Sequence, residues 1–216
     1  RDEVTVLLNR GDGTFSNRSS LAAGTAPVGV FSADLDGDGD NDLAAANAQS
    51  DNLSVFLNNG RGTFAPRVNY PTGYAPQPVV GADFDGDGDW DLATANAAEN
   101  VVSVLSNHGN ATFGPRVDYA TGLLPAGLFG IDLDGDGDQD LVTANESSTA
   151  SVLLNNGNGT FAHKVDYIAM PGCTGIFCGD LDGDQDADLA VASFGSHPEG
   201  SGIISGTEVS VLLNHG

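Results

Sequence analysis

The chain has 216 residues and a formal net charge of -23, with seven Lys and Arg against thirty Asp and Glu. That balance excludes nucleic-acid binding, because no basic stripe is available to neutralise phosphates, and no apolar stretch is long enough for a membrane-spanning helix. Thirty Gly and nine Pro punctuate short apolar segments, so the composition points to an all-β protein with many tight turns.

In chain order, the first element is VTVLLNRGDGTF, from Val4 to Phe15. It is an apolar run, a Gly/Asn turn and a second segment opening on Thr-Phe, which reads as a β-hairpin. Both alternate faces of the run are apolar, so burial on both sides is expected. A further apolar strand, PVGVFSA at Pro27, runs into DLDGDGDND, Asp34 to Asp42, and the chain leaves that loop through DLAAAN. The cycle then restarts. Hairpin patterns recur at Leu53, Val102 and Ala150, linkers containing VNYPTG, VDYATG and VDYIAMPG follow at Val68, Val117 and Val165, and a truncated VSVLLNHG closes the sequence.

We name the strands A and B on either side of the acidic loop, and C and D on either side of the Gly/Asn turn. The repeats run approximately over 4–52, 53–101, 102–149 and 150–208, with a partial fifth over 209–216. Loop starts are 49, 49 and 48 residues apart, and each turn asparagine precedes the next loop by 25 residues. Only the B to C connection varies. Its last copy carries an insert around FGSHPEGSGIIS.

A four-strand unit at this period is the pattern of propeller blades, whose faces stack on their neighbours. The expected fold is therefore an all-β, β-propeller-type array of about four four-stranded blades. The tally of four A, four B, five C and four D strands fits neither a seven-bladed ring nor a simple four-bladed one. The ring could close by pairing the first C and D strands with the last A and B. Alternatively, the end of one chain could complete a blade of another, head to tail.

The four acidic loops hold the candidate site residues. They are Asp34, Asp36, Asp38, Asp40 and Asp42; Asp83, Asp85, Asp87, Asp89 and Asp91; Asp132, Asp134, Asp136, Asp138 and Asp140; and Asp180, Asp182, Asp184, Asp186 and Asp188. Carboxylates 4 to 5 Å apart repel by roughly 3 to 4 kcal/mol per pair at an effective dielectric near 20, so each loop needs a cation. Hard oxygen donors without Cys or His favour calcium. Positions 1, 3, 5 and 9 supply carboxylates, a glycine at position 6 permits the bend, and position 7 offers its backbone carbonyl. An EF-hand is excluded, since the closing acid arrives at position 9 rather than 12 and no amphipathic helix flanks the loop.

DLDGDGDNDL, DFDGDGDWDL and DLDGDGDQDL, together with the hairpins LLNNGNGTF and FLNNGRGTF, resemble the FG-GAP and VCBS repeats, the calcium-binding blades of integrin α-subunit propellers and of many secreted microbial proteins. The resemblance covers nearly the whole chain, and it implies calcium at positions 1, 3, 5 and 9 with a carbonyl from position 7. The fourth loop departs from the pattern, with Gln185 where the others have Gly39, Gly88 and Gly137. A left-handed non-glycine residue costs roughly 1 kcal/mol or more, so a weaker fourth site is expected among about four calcium ions.

Cys173 and Cys178, the only cysteines, are expected to form a small-ring disulfide. Five N-x-S/T sequons, at Asn17, Asn52, Asn110, Asn145 and Asn158, are candidate glycosylation sites. Calcium demand, disulfide and sequons together favour a secreted or cell-surface protein. Arg1 lies within a strand-like segment and no leader-like stretch precedes it, so the sequence reads as a processed or excised piece.

No nucleophile or zinc-protease motif is present, so no enzymatic activity is expected. His108 and His215 share a turn position and read as surface residues, while His197 with Glu199 in the insert could form an adventitious site. The main expectation is an extracellular structural or adhesive calcium-binding module that meets a protein or glycan, or copies of itself head to tail as a fibre. One alternative is a lectin-like propeller using Tyr70, Tyr119 and Tyr167 to stack on sugars. The other is the accessory repeat region of a larger secreted enzyme.

Overall fold

A computed structural model describes residues 2–194 and 208–214, apart from the side chains of Ser16 and Asn17. His197, Glu199, His215 and most of the insert therefore lie outside the described residues. Seventeen strands and no helix form five antiparallel sheets among those described. The first sheet pairs β1 (Glu3–Asn9) with β2 (Phe15–Ala22).

Three complete blades follow, each a meander of four strands. Blade one holds β3 (Pro27–Ala33), β4 (Asp42–Asn47), β5 (Asn52–Phe56) and β6 (Val68–Pro71). Blade two holds β7 (Pro76–Ala82), β8 (Asp91–Asn96), β9 (Val101–Leu105) and β10 (Val117–Ala120). Blade three holds β11 (Pro125–Ile131), β12 (Asp140–Asn145), β13 (Thr149–Leu153) and β14 (Val165–Ile168). Blade four has three described strands, β15 (Cys173–Gly179), β16 (Asp188–Ser193) and β17 (Glu208–Leu212). The blade and the sequence repeat are out of phase, because a blade takes its A and B strands from one repeat and C and D from the next.

The expected hairpin differs in its second arm. The Thr-Phe segments make only single bridges, Asn58 to Phe64, Asn107 to Phe113 and Asn155 to Phe161. The stretches read as linkers, VNYP, VDYA and VDYI, instead form the D strands. Pro66 and Pro115 explain two of the three cases, since proline cannot donate to a ladder. The first hairpin has no proline there, and β2 runs continuously from Phe15.

Burial comes from stacking the sheets. The B strands carry Leu, Ala and small polar side chains after the leading aspartate, so both faces can be covered, and every residue of β8 and β12 is buried. The hydrophobic clusters sit between blades: Leu53 and Val55 of blade one meet Val79, Leu92 and Phe113 of blade two, and Val102 and Val104 meet Leu141, Leu153 and Phe161 of blade three. The inner A strands approach closely. A β-carbon at Gly29 would stand 2.7 Å from the Gln77 carbonyl oxygen and 3.2 Å from Pro78 Cα, both on the next inner strand. No ladder joins β1–β2 to β15–β17 among the described residues.

The expected disulfide is corrected here. Cys173 and Cys178 are both free and buried on one strand, β15. Five residues of extended chain separate them by about 16 Å, far beyond the reach of a disulfide. They also enter different clusters, Cys173 with Ala144 and Val191, and Cys178 with Val142 and Val152. Burial pushes the Cys178 thiol up to about 12.

Close approach of the inner strands makes Gly29→Val a sharp test of the stacking. It should cost about 2 to 3 kcal/mol by overpacking, read as a lower urea midpoint with an unchanged slope.

Candidate metal centres

Each acidic loop folds around its first aspartate. Asp34 Oδ1 accepts the N–H groups of Gly37 and Asp38, and its Oδ2 accepts that of Gly39, at 2.9 to 3.1 Å. Asp83 repeats this pattern with Gly86, Asp87 and Gly88. Asp132 accepts from Gly135 and Gly137, and Asp180 from Gly183 and Gln185. The tight winding places Gly37 and Gly39 at φ of 75° and 92°, and forces Gln185 to a φ of 80°, where its side chain is strained.

The ninth position closes the loop from inside. Asp42 is fully buried, and its two oxygens accept Leu35 N–H at 3.0 Å and Asn58 N–H at 2.7 Å. Asp91 does the same with Phe84 and Asn107, Asp140 with Leu133 and Asn155, and Asp188 with Leu181 and Asn214. One carboxylate thus ties the acidic loop to the C to D turn.

Ligand oxygens converge in every loop. Asp34, Asp36 and Asp42 bring oxygens within 4.8 Å of one another, as do Asp83, Asp85 and Asp91, then Asp132, Asp134 and Asp136, and finally Asp180, Asp182 and Asp188. Asp38, Asp87, Asp140 and Asp184 stand outside these groups. Asp38, Asp87, Asp136 and Asp184 each accept the N–H two residues on, from Asp40, Asp89, Asp138 and Asp186. The carboxylates of Asp40, Asp89 and Asp138 turn away onto Gly60, Gly109 and Gly157, where an added β-carbon would collide with them. Position 7 is left to offer its main chain.

Among the described residues, no Lys or Arg pairs with an aspartate of the first three loops; the ion pairs are Arg116 with Glu99 and Asp118, and Lys164 with Asp166. Converging hard oxygens without a protein cation fit a divalent ion such as calcium. Burial shows in the protonation of the closing groups. Desolvation raises the Asp91 carboxyl to about 6 against the pull of two backbone N–H groups, with Asp85 and Asp87 adding repulsion. Asp42 and Asp140 are raised for the same reasons.

The turn asparagine reaches the preceding blade as well. Asn107 Nδ2 donates to the Leu35 carbonyl at 2.8 Å, and Ala111 N–H reaches the same oxygen at 2.9 Å. Asn155 and Gly159 repeat this on Phe84, and Asn214 on Leu133. Tyr70 and Tyr119 belong to this seam. Tyr70 packs edge-on against Phe113 with its hydroxyl donating to Ala111 O at 2.8 Å, and Tyr119 lies likewise on Phe161 and Gly159. Neither is free to stack on a sugar, whereas Tyr167 is exposed.

Two sequons are corrected. Asn145 is fully buried, its side chain bonded to Thr143, Thr149 and Ser151, and the half-buried Asn52 is engaged by Asn47 and Ser50. Asn110 and Asn158 stand exposed at turn tips, and the Asn17 side chain lies outside the described residues. His108 is exposed in its turn.

The model of the FG-GAP-like repeat matches residues 1–45, 34–94 and 132–191. The chain belongs to the FG-GAP-like repeat family. Solved structures share the fold of this FG-GAP-like protein. An Agrocybe aegerita lectin, solved with its specific recognition of non-reducing terminal N-acetylglucosamine, matches with a TM-score of 0.62 at 24% identity, covering 95% of this chain and 59% of its own. The V. cholerae biofilm matrix protein Bap1 matches with a TM-score of 0.53 at 19% identity, over 97% and 37%. The chain thus spans 59% or less of these two structures. No curated protein matches the sequence.

A buried polar ladder escaped the sequence reading. Asn96 Nδ2 donates to Ser103 Oγ, which donates to Asp118, and Asn145, Ser151 and Asp166 repeat it across blade three. Its signal was the recurrent Ala-Asn ending each of the first three B strands and the serine within each C strand.

The raised closing carboxyls fix a pH dependence. The ion-free folded chain holds protons that the unfolded chain has lost between about pH 4 and 6, so its stability should rise as pH falls through that window. With calcium in excess, protons compete with the ion and the melting temperature should instead fall. Paired thermal melts, with chelator and with calcium, check both slopes.

Proposed function

We propose that this FG-GAP-like array is an extracellular, non-catalytic calcium-binding structural and adhesive module. The observation that carries the reading is the fourfold convergence of carboxylates, with no protein cation among them in the first three loops. Positions 1, 3, 5 and 9 would hold the ion with the position 7 carbonyl. Calcium, when bound, supplies the positive charge that lets these groups stay ionised at short range. Because Asp42, Asp91, Asp140 and Asp188 also grip the turn asparagines, filling a loop stiffens the seam between blades.

Such sites suit the millimolar calcium outside cells. No helix among the described residues is long and apolar enough to cross a membrane. The adhesive partner is a protein or glycan surface, or another copy of the chain, and the module can equally serve as the repeat region of a larger secreted protein.

A cleft of about 510 Å³ between β2 and blade one supports glycan binding as a second reading. Leu21 there occupies the position that Tyr70 and Tyr119 fill at later seams, leaving space beside Phe64 and Arg67. Binding on a glycan array that Arg67→Ala abolishes would favour it over protein adhesion.

Calorimetric titration should find about four calcium ions, and chelation should lower the melting temperature, as mass action on the folded state requires. An unchanged melt in excess chelator refutes the structural role of the ion. Asp36→Ala should lose one ion and leave the others. Gln185→Gly should relieve the strain at the fourth loop, by about 1 kcal/mol, and tighten that site alone.

A further inference from the structure

Blade four presents an unfilled seam. At the first two loops the second residue is covered by the next blade, with Leu35 and Phe84 each 1% exposed, but Leu181 is 45% exposed. Tyr70 and Tyr119 lie on Phe113 and Phe161, whereas Tyr167 has no such phenylalanine and is itself 45% exposed. An apolar cavity of about 310 Å³ opens beside it, lined by Leu133, Val152, Tyr167, Leu189 and Leu212. It stands where the Thr-Phe arm of a complete blade would lie. Phe177, at the position from which Phe129 packs on its neighbour, is also exposed.

The matching piece sits at the other end of the array. The β1–β2 hairpin carries the same turn with Thr14 and Phe15, and Phe15 is 60% exposed because no blade precedes it. Residues 3–9 read EVTVLLN and residues 208–214 read EVSVLLN, differing only at Thr5 against Ser210. The two strands can therefore occupy one place on β16 with the same side chains facing the cavity, Leu7 for Leu212 and Leu8 for Leu213.

We infer that the β1–β2 hairpin of a second copy docks on blade four, taking the place of β17 and seating Phe15 in the cavity beside Tyr167. β17 supplies a C strand alone, whereas the incoming hairpin supplies C and D together with the phenylalanine that β17 lacks. The exchange keeps the strand pairing on β16 and adds the D ladder and the buried ring. It also covers the outer face of blade four, because β1–β2 already packs through Val4, Leu21 and Ala23 on its own blade one. The contact is heterologous, so it propagates from copy to copy. This deepens the module reading, on whose blade geometry it rests, while requiring nothing of the ion.

The test is light scattering and sedimentation of the 216-residue chain from low micromolar upwards, in calcium and in chelator. Wild type should grow into oligomers with concentration, while Phe15→Glu and Tyr167→Glu should each remain monomeric with wild-type melting, since both residues are exposed in the single chain. Mixing the two variants equally should give a 1:1 dimer and nothing larger, because only one good hairpin and one good cavity remain between them. A wild type that stays monomeric at every concentration, variants that assemble like wild type, or a mixture that stays monomeric overturns the proposal. So does a monomeric wild type whose melting falls with Phe15→Glu, which would place the hairpin in its own chain's cavity. Assembly that survives chelation, with an unchanged melt, upholds the docking and sinks the calcium reading; a calcium-dependent melt with monomeric wild type does the reverse.

Discussion

A carboxylate buried at the ninth position of each loop governs this structure. Asp42, Asp91, Asp140 and Asp188 begin the B strands, yet none makes a strand-like use of its side chain. Each accepts one N–H from its own loop and one from a turn 15 to 26 residues further on. A buried charge is tolerated only when hydrogen-bonded or neutralised, and these groups draw both kinds of partner to one point. Loop, turn and blade edge are positioned as a consequence, and the turn asparagine carries that positioning to the neighbouring blade.

The stacked faces add bulk to this frame. Alanine and small polar residues line the B strands because a covered two-sided sheet leaves little room, and the larger Leu, Val and Phe side chains gather at the seams. Aromatic pairs such as Tyr70 with Phe113 sit where the outer strand of one blade meets the turn of the next. Interior polar groups pair along the Asn–Ser–Asp ladders, so the small side chains that allow close stacking also satisfy one another. Packing and hydrogen bonding are therefore repeated together.

Much of this was legible in the residues. The period, the strand succession and the acidic loops follow from spacing, and the constant 25-residue step from turn asparagine to loop was the trace of a fixed geometry. The left-handed backbone at Gln185 was foreseeable because its three counterparts are glycine. The D strands were missed because Tyr and Pro in VNYP read as a linker, while the Thr-Phe arm looked more strand-like than it is. The disulfide was misjudged because two nearby cysteines say nothing of whether the chain between them turns. CTGIFC proved to be one extended strand. Asn145 carries a sequon, but sequons do not report burial, and the same Asn that ends a B strand is an interior ladder group. The seam bonds from Asn107 and Asn155 join residues more than seventy positions apart, which no local pattern reveals.

The phase difference between blade and sequence repeat reaches beyond this one chain. Because a repeat contributes the inner half of one blade and the outer half of its neighbour, duplicating or losing one whole repeat in the gene leaves each remaining half blade beside a partner of the same kind. Array length is thereby separated from blade integrity, and such proteins can be lengthened or shortened by recombination without redesigning a single interface.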